Sequence, residues 1–286
     1  MTFVSRQINI SFMGGAGIFK GNTDFTGLRI SAHIDGPGGE DGMIASAAIW
    51  GMPLSTMNQL SIVGRQVWQA SKNKVSIMAG DATSGMRLVF IGDITSAYVD
   101  AQSQPDVCFR IEARPNGYFN AANAAVTSIK GQSEAGQVFQ QLAQKCGLGF
   151  QNYGVNAQLR NLYLPSSYGK QIKLLARMVG CEHIIDRGTL SVWKPGENKG
   201  GNTFLSRQTG MVGYPAFDQR NIIVRSIFNP EIRNPNTITV QSDITPACGT
   251  WHINHVTHEI ESQMPNGKWF TTVLASPPGS DGGAAP

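Results

Sequence analysis

Apolar and polar residues alternate over short stretches through the first hundred residues. Leu28, Ile30, Ala32 and Ile34 alternate with Arg29, Ser31, His33 and Asp35. A period of two puts one set on a buried face and the other in solvent, which predicts a strand. The run Gly36-Pro37-Gly38-Gly39 predicts a turn, and the apolar stretch 43–50 a second strand. Stretches 75–80 and 88–92 predict two more, split by the turn Asp81-Ala82-Thr83-Ser84-Gly85. Val107, Phe109 and Ile111 then alternate with Cys108, Arg110 and Glu112. Several short strands joined by short turns predict a barrel or sandwich.

The period changes near residue 130. Ala135, Val138, Phe139, Leu142, Ala143 and Cys146 recur at helical spacing, with Ser133 placed to cap the start and Gly147 to end it. An extended piece follows at 148–153. Ile172, Leu175, Ala176 and Val179 form a second helical stripe ended by Gly180, and 182–193 reads as a β-hairpin turning at Arg187-Gly188. Residues 130–196 are thus a small α/β insert of two helix–strand units. Residues 197–210 are polar and contain glycine, which predicts a loop. Strand pattern returns at 222–228, 237–242, 251–260 and 269–275. The tail 277–286 is Pro, Gly, Ala and Ser with one Asp, a composition that predicts disorder.

The expected class is α+β, mainly β. A first β-domain spans 1–129, the insert 130–196, a second β-domain 197–276 and the tail 277–286. The pattern leaves open whether the two β-domains share a sheet or pack side by side.

Charge sharpens this picture. Only 15% of residues are charged, against roughly 25% in ordinary soluble domains. Charge that sparse is expected where much of the surface is covered by other chains. The net charge of +4 is too small for a general nucleic-acid binder. It is uneven: residues 1–129 carry nine basic and nine acidic side chains, 130–200 nine and four, 201–286 five and six. The excess in the middle reads as a solvated basic face, or as a surface turned to an acidic partner or to passing DNA. The four cysteines, Cys108, Cys146, Cys181 and Cys248, form no C-x-x-C pair, so neither a disulfide framework nor a zinc cluster is expected, and a reducing cytoplasm fits. Cys146 and Cys181 fall within apolar patterns and read as small buried hydrophobes. Neither a signal peptide nor an 18-residue apolar span is legible.

No cluster of residues makes a persuasive active site. His252, His255 and His258 are spaced by three within a strand pattern. His252 and His258 then share one face and His255 takes the other, so the three do not grip one metal. Cys181 and His183 are two apart, yet Cys181 directly follows a helix-ending glycine and no hydrolase motif surrounds it. Gly14-Gly15-Ala16-Gly17 with Lys20 lacks the spacing of a phosphate loop and reads as a bend. Glu40-Asp41 sits in a glycine-rich turn. Glu259 and Glu261 share one strand face, without the cleft that a glycosidase pair needs. Neither catalytic residues, cofactor nor metal are expected.

Three stretches resemble the hub proteins of contractile phage tails, the group that includes the T4 baseplate hub, the late-control D proteins and the N-terminal part of the type VI secretion spike. The first is Val75-Ser76-Ile77-Met78-Ala79-Gly80 with Leu88-Val89-Phe90-Ile91-Gly92-Asp93-Ile94, continued by Pro105-Asp106 and the strand to Glu112. It resembles the group's "strand, Ala-Gly, turn, strand, Phe-x-Gly-x-Ile" run. The second is 135–148 followed by 168–193, similar to the group's paired units and closing as Asp-x-Gly-x-Leu-x-Val-Trp. The third is Phe228-Asn229-Pro230, the strand at 238–242, Gly249-Thr250-Trp251, Val256 with His258, and Gly267-Lys268-Trp269-Phe270-Thr271-Thr272. It resembles the closing hairpin of a second barrel. Most of 75–275 is covered. Where the group often has Gly before the strand at 238, this chain has Asn234-Pro235-Asn236, which implies a different turn.

The resemblance implies two tube-like β-barrel domains per chain and a homotrimer that forms a six-fold-like ring. Such a hub is a symmetry adapter. It joins a hexameric tail tube, or a tube-initiator protein, to a trimeric central spike, contacts other baseplate proteins (wedge or tape measure), and lets genome DNA pass through its bore without sequence-specific binding. The expected location is the virion tail baseplate, after synthesis in the host bacterial cytoplasm. Two other readings compete. A peptidoglycan-degrading tail enzyme would need a paired-acid or Cys–His cleft, and resembles a hub fused to a further domain for which this chain leaves no room. A cell-surface-binding β-module would show clustered aromatics, whereas the five Trp are dispersed.

Overall fold

A computed structural model of the chain describes residues 5–14, 21–37, 42–61, 73–102, 104–115, 119, 124–195, 201–234 and 236–277. Alternation builds the first half. β1 (Arg6–Gly14) turns Ile8, Ile10 and Phe12 inward; β3 (Arg29–Pro37) turns in Ile30, Ala32 and Ile34; β7 (Cys108–Arg114) turns in Phe109, Ile111 and Ala113. With them run β2 (Gly21–Phe25), β4 (Ile44–Trp50), β5 (Lys74–Asp81), the long β6 (Gly85–Asp100) and the short helix α1 (Leu54–Leu60). All pair antiparallel, in the order β3-β4-β7-β6-β5-β1-β2. Their inward side chains form one apolar core, which Ile260 and Trp269 from far along the chain complete.

The β5–β6 turn is tied locally. The Asp81 carboxylate accepts the backbone N–H groups of Thr83 and Ser84, each at 2.7 Å, and Gly85 takes a φ of +72°. Gly80 is fixed by crowding, because a Cβ there would lie 2.0 Å from the Gly85 carbonyl oxygen. Since that neighbour is backbone, a Gly80→Ala chain has to open the hairpin. We expect a loss at the upper end of the roughly 1–3 kcal/mol typical of overpacking, read as a lowered urea midpoint with unchanged slope.

The insert contains β8 (Thr127–Glu134), α2 (Ala135–Lys145), β9 (Gly149–Tyr153), β10 (Gln158–Leu164), α3 (Tyr168–Val179), β11 (Glu182–Asp186) and β12 (Thr189–Trp193). Each unit is therefore strand–helix–strand, not the helix–strand expected. The two leading strands, β8 and β10, pair antiparallel, while β9 joins the β11–β12 hairpin in parallel with β12. Phe139, Leu142, Leu164, Leu175 and Leu190 fill the core between them. The buried Gln171 is satisfied at both ends of its amide. Its oxygen accepts from the Thr127 hydroxyl at 2.7 Å, and its nitrogen donates to the Ala125 and Ser166 carbonyls at 2.9 and 2.8 Å. Gly147 and Gly180 end the helices in left-handed conformation, as read from the sequence. Ser133 does not cap α2: the cap position is Glu134, without a side-chain cap bond, because Ser133 is held within β8 opposite Leu159.

Residues 197–210 are not all loop. β13 (Asn202–Leu205) pairs in parallel with β16 (Thr237–Val240), and its Leu205 is buried. β14 (Ala216–Asp218), β15 (Asn221–Ile227), β17 (Gly249–Ser262) and β18 (Trp269–Ser276) complete the second β-region around Ile222, Val224, Ile238, Val256 and Val273.

The question left open by pattern is resolved by β17. One edge of this strand pairs with β18 along its length. The other edge pairs with β16 over Gly249 to His252 and with β3 over His255 to Ser262. The two β-regions thus share one 13-stranded sheet. At the change of partner, Asn254 is an extra residue against β18, a β-bulge between Ile253 and His255. The class is α+β, mainly β, but the strands do not close into barrels: β2 and β14 end the main path of the sheet, and β13, paired only with β16, ends a branch from β17. The sheet does curl, since Arg6 of β1 reaches the turn after β17, donating to the Gly267 carbonyl at 3.2 Å and stacking over Trp269 at 5.6 Å. No helix among the described residues is long and apolar enough to cross a membrane.

Candidate assembly surfaces

The residues singled out for chemistry do not converge. The bulge at Asn254 overturns the expected facing of the histidines. Buried positions run Ile253, then Val256, His258 and Ile260, so His252 and His255 lie before and after the bulge on the outer side while His258 points into the interior. Among the described residues no group of three or more His, Cys, Asp or Glu is placed to hold a metal. His183 is buried, and burial pushes the Cys181 thiol up to about 11, opposite to what a nucleophile needs. Cys146 is raised likewise to about 11 by burial, and all four cysteines are free thiols. The Gly15–Lys20 stretch, Glu40-Asp41 and residues 278–286 lie outside the described residues.

Glu259 and Glu261 do share the outer face of β17, and both are engaged. Lys268 Nζ donates to Glu259 at 2.6 Å, with Arg225 at 3.8 Å, and the Lys268 hydrogen bond holds the Glu259 carboxyl below its ordinary range. Glu261 accepts from the Ser31 hydroxyl at 3.2 Å and the Lys268 backbone N–H at 2.8 Å. A carboxyl held ionised by a lysine is a poor general acid.

These contacts belong to a wider polar face. Next to them His255 Nε2 lies 2.7 Å from Asp35 Oδ1, and the Thr257 hydroxyl donates to the same oxygen at 2.8 Å. Burial pushes the Asp35 carboxyl up, but these hydrogen bonds outweigh it and the group sits below its ordinary value. Further along the same sheet a concave groove is lined by Ser31, His33, Ser46, Tyr98, Arg110 and Glu112, and Arg110 is held by Asp100 at 2.6 Å. Small polar residues and charges of both signs make this face polar, with Glu259 and Asp100 ion-paired to cations and Glu261 held by neutral donors.

A second cluster joins the insert to the sheet. The β11–β12 turn carries Arg187, whose guanidinium donates to the Pro230 carbonyl, while Asp186 takes Arg233 at 3.1 Å. Beneath them His258 is fully buried. Its Nδ1 lies 2.9 Å from the Thr271 hydroxyl, and Phe228 meets it edge-on at 5.5 Å. Its Nε2 has no hydrogen-bond partner among the described residues. Burial first, and the nearby Arg187 cation second, push the imidazole down to about 3. The histidine is a structural, uncharged part of this joint.

The third surface is apolar. The segment from Met211 runs beside β15, with Met211 bridging Ser226 and the Val212 N–H donating to the Arg225 carbonyl at 2.8 Å. β14 continues it and forms one free end of the sheet. Here Tyr214, Phe217 and Ile227 are 64%, 52% and 52% exposed. Ile223 and Ile227 lie on the outer face of β15, whereas the pairing of Phe217 with Ile222 puts Phe217 on the other face, so apolar side chains are exposed on both faces of this end. Sequence reading missed it, although the available signal was the density of large apolar residues around Pro215 in a stretch without clear period.

Comparison with known proteins gives the surfaces a context. No curated protein matches the chain by sequence. By structure, it is similar to a tail protein from Neisseria meningitidis MC58, with a TM-score of 0.58 at 11% identity, covering 95% of this chain and 97% of that one. It is similar to the 43 kDa tail protein of prophage MuSo2 from Shewanella oneidensis, with a TM-score of 0.59 at 9% identity, covering 94% and 97%. A chain of the Francisella PdpA–VgrG complex matches with a TM-score of 0.58 at 8% identity; the match takes in 99% of this chain but only 59% of that one. At these identities the likeness shows a shared fold. The sequence itself matches the family model described as baseplate hub gp41 over residues 54–273, well over half of the chain. The chain therefore belongs to the baseplate hub gp41 family, and its role is a structural one in the phage tail baseplate.

Proposed function

We propose that the chain is the trimeric hub of a contractile-tail baseplate, a symmetry adapter between a hexameric tail tube and a trimeric central spike. The observation that carries this reading is the long strand β17. It fuses two β-regions, each with its own core, into one sheet. Three chains then supply six β-regions, enough to match a six-fold tube while keeping three-fold symmetry toward a spike. The first tube-like domain is residues 1–129 and the second 197–276, with 130–196 inserted between them. A sheet with free terminal strands favours head-to-tail closure into a ring, because each such strand otherwise presents an unpaired edge. The apolar side chains exposed on both faces of the β14 end are where a neighbouring copy packs. The polar face supports a bore through which DNA passes, since its cations Arg110, Arg225 and Lys268 are already engaged by carboxylates and offer little to phosphates. The role is assembly, without catalysis.

Phage lacking this chain are expected to make filled heads and no attached tubes, with normal tails restored by supplying the chain in trans. Normal tails in its absence would contradict the adapter role.

A further inference from the structure

The ribbon of β8 and β10 is an unfinished sheet. Each strand pairs only with the other, so both outer edges are without a neighbouring strand. In an antiparallel pair every second residue turns its backbone N–H and C=O away from the partner. Among the described residues no hydrogen bond outside the ladder reaches the backbone of β10, so these groups have no protein partner there. Exposed edges are commonly blunted by proline or by a covering helix or loop. β10, Gln158-Leu159-Arg160-Asn161-Leu162-Tyr163-Leu164, contains no proline. Leu162 and Leu164 are buried in the insert and hold the strand in place. Its outer face carries Tyr163, 61% exposed and set opposite Ser128, and Arg160, set opposite Gln132. Lys130 of β8 falls between these two pairs. Arg160 and Lys130 are exposed, and neither side chain has a hydrogen bond or ion pair among the described residues. The ribbon's one acid, Glu134, lies at its end and accepts from the Gln137 amide at 3.4 Å.

We propose that the outer edge of β10 takes up an acidic extended segment of another protein as a third strand. The bare backbone supplies the ladder, which only a polypeptide can complete. Incoming side chains opposite Arg160 and Tyr163 lie about 4.5–5.5 Å away, where a carboxylate and an apolar group find their contacts. A cation on an edge strand deters basic strands and admits acidic ones, and with Lys130 it speeds their encounter. DNA is the poorer fit, because phosphates use the two cations and leave the edge unpaired. A lipid surface is poorer still, since this face offers one aromatic ring among polar side chains. The site lies wholly within the insert and does not depend on trimer formation.

The test uses the full chain and three labelled octapeptides: one alternating valine and glutamate, the same with lysine for glutamate, and the acidic one N-methylated at every residue, which keeps the charge and removes every backbone donor. Fluorescence anisotropy at low and physiological salt measures binding, with duplex DNA and phosphatidylglycerol vesicles as further probes. The acidic peptide is expected to bind at least about tenfold tighter than either other peptide, and more weakly as salt rises. It should slow hydrogen exchange at the β10 amides that point away from β8 and leave the sheet of β9, β11 and β12 unchanged. K130E with R160E is expected to weaken binding by at least about tenfold, while the melting temperature stays within a few degrees of the parent because both side chains are at the surface. Equal binding of the acidic and N-methylated peptides, no new protection on β10, binding unaffected by the double variant, or tighter binding of DNA or vesicles through the same residues would overturn the proposal.

Discussion

Acidification from neutral pH towards pH 4 is expected to strip stability from the folded chain through His258. In the folded state burial, assisted by the Arg187 cation, pushes this imidazole down to about 3. An unfolded chain takes up the proton near the ordinary value of 6.5. Between those two values the unfolded state binds a proton that the folded state refuses, so stability falls as pH falls. Each unit of pH across that window costs on the order of 1.4 kcal/mol, and the loss reaches several kcal/mol, a large part of the stability of an ordinary domain. Urea unfolding midpoints between pH 7 and pH 4 measure it. His258→Phe keeps the ring beside Phe228 and removes the titration, so its midpoint should decline much less over this range. His258→Gln is the second variant if Phe fails to fold. Parallel declines in parent and variants would show that the histidine is not the group responsible.

Exchanging Ile227 and Phe217 for glutamate is expected to separate folding from assembly. Both side chains are half exposed, Phe217 on the terminal strand β14 and Ile227 on the adjacent β15, on opposite faces of the sheet. In the isolated chain they pack little, and surface changes of this kind usually stay within about 0.5 kcal/mol. In a ring they would be covered, and burying carboxylates without partners costs several kcal/mol. The double variant should therefore melt within a few degrees of the parent, yet associate at least about 100-fold more weakly in sedimentation experiments and fail to enter particles. A variant that melts normally and still assembles would move the subunit interface away from β14 and β15.

These outcomes turn on features of unequal legibility in the sequence. Strands with clean alternation, such as β3 and β7, were readable because one face meets the core at every second residue. The two helices of the insert and their glycine ends were readable for the same reason at a different period. β8 was not, because Thr127-Ser128-Ile129-Lys130-Gly131-Gln132-Ser133-Glu134 is almost wholly polar and is a strand only because β10 pairs with it. β10 breaks its own alternation at Asn161, where φ is +52° and the single residue stands against two of β8, Lys130 and Gly131. The histidine facing failed at Asn254 in the same way. A bulge is set by the partners on either edge, and counting by twos passes over it. The Asp35–His255 pair joins residues 220 positions apart, and no local pattern announces it. Motif order, by contrast, pointed to tail hubs, since fixed turns such as Asp81–Gly85 and the crowded Gly80 leave a local imprint.

Copy number in the particle tests the adapter claim most directly. Purified tails, digested and quantified against isotope-labelled peptides of this chain and of the tube protein, should give three copies of this chain for every six tube subunits in one ring. Six copies per ring, or a single copy, would contradict a trimeric adapter carrying two tube-like domains in each chain.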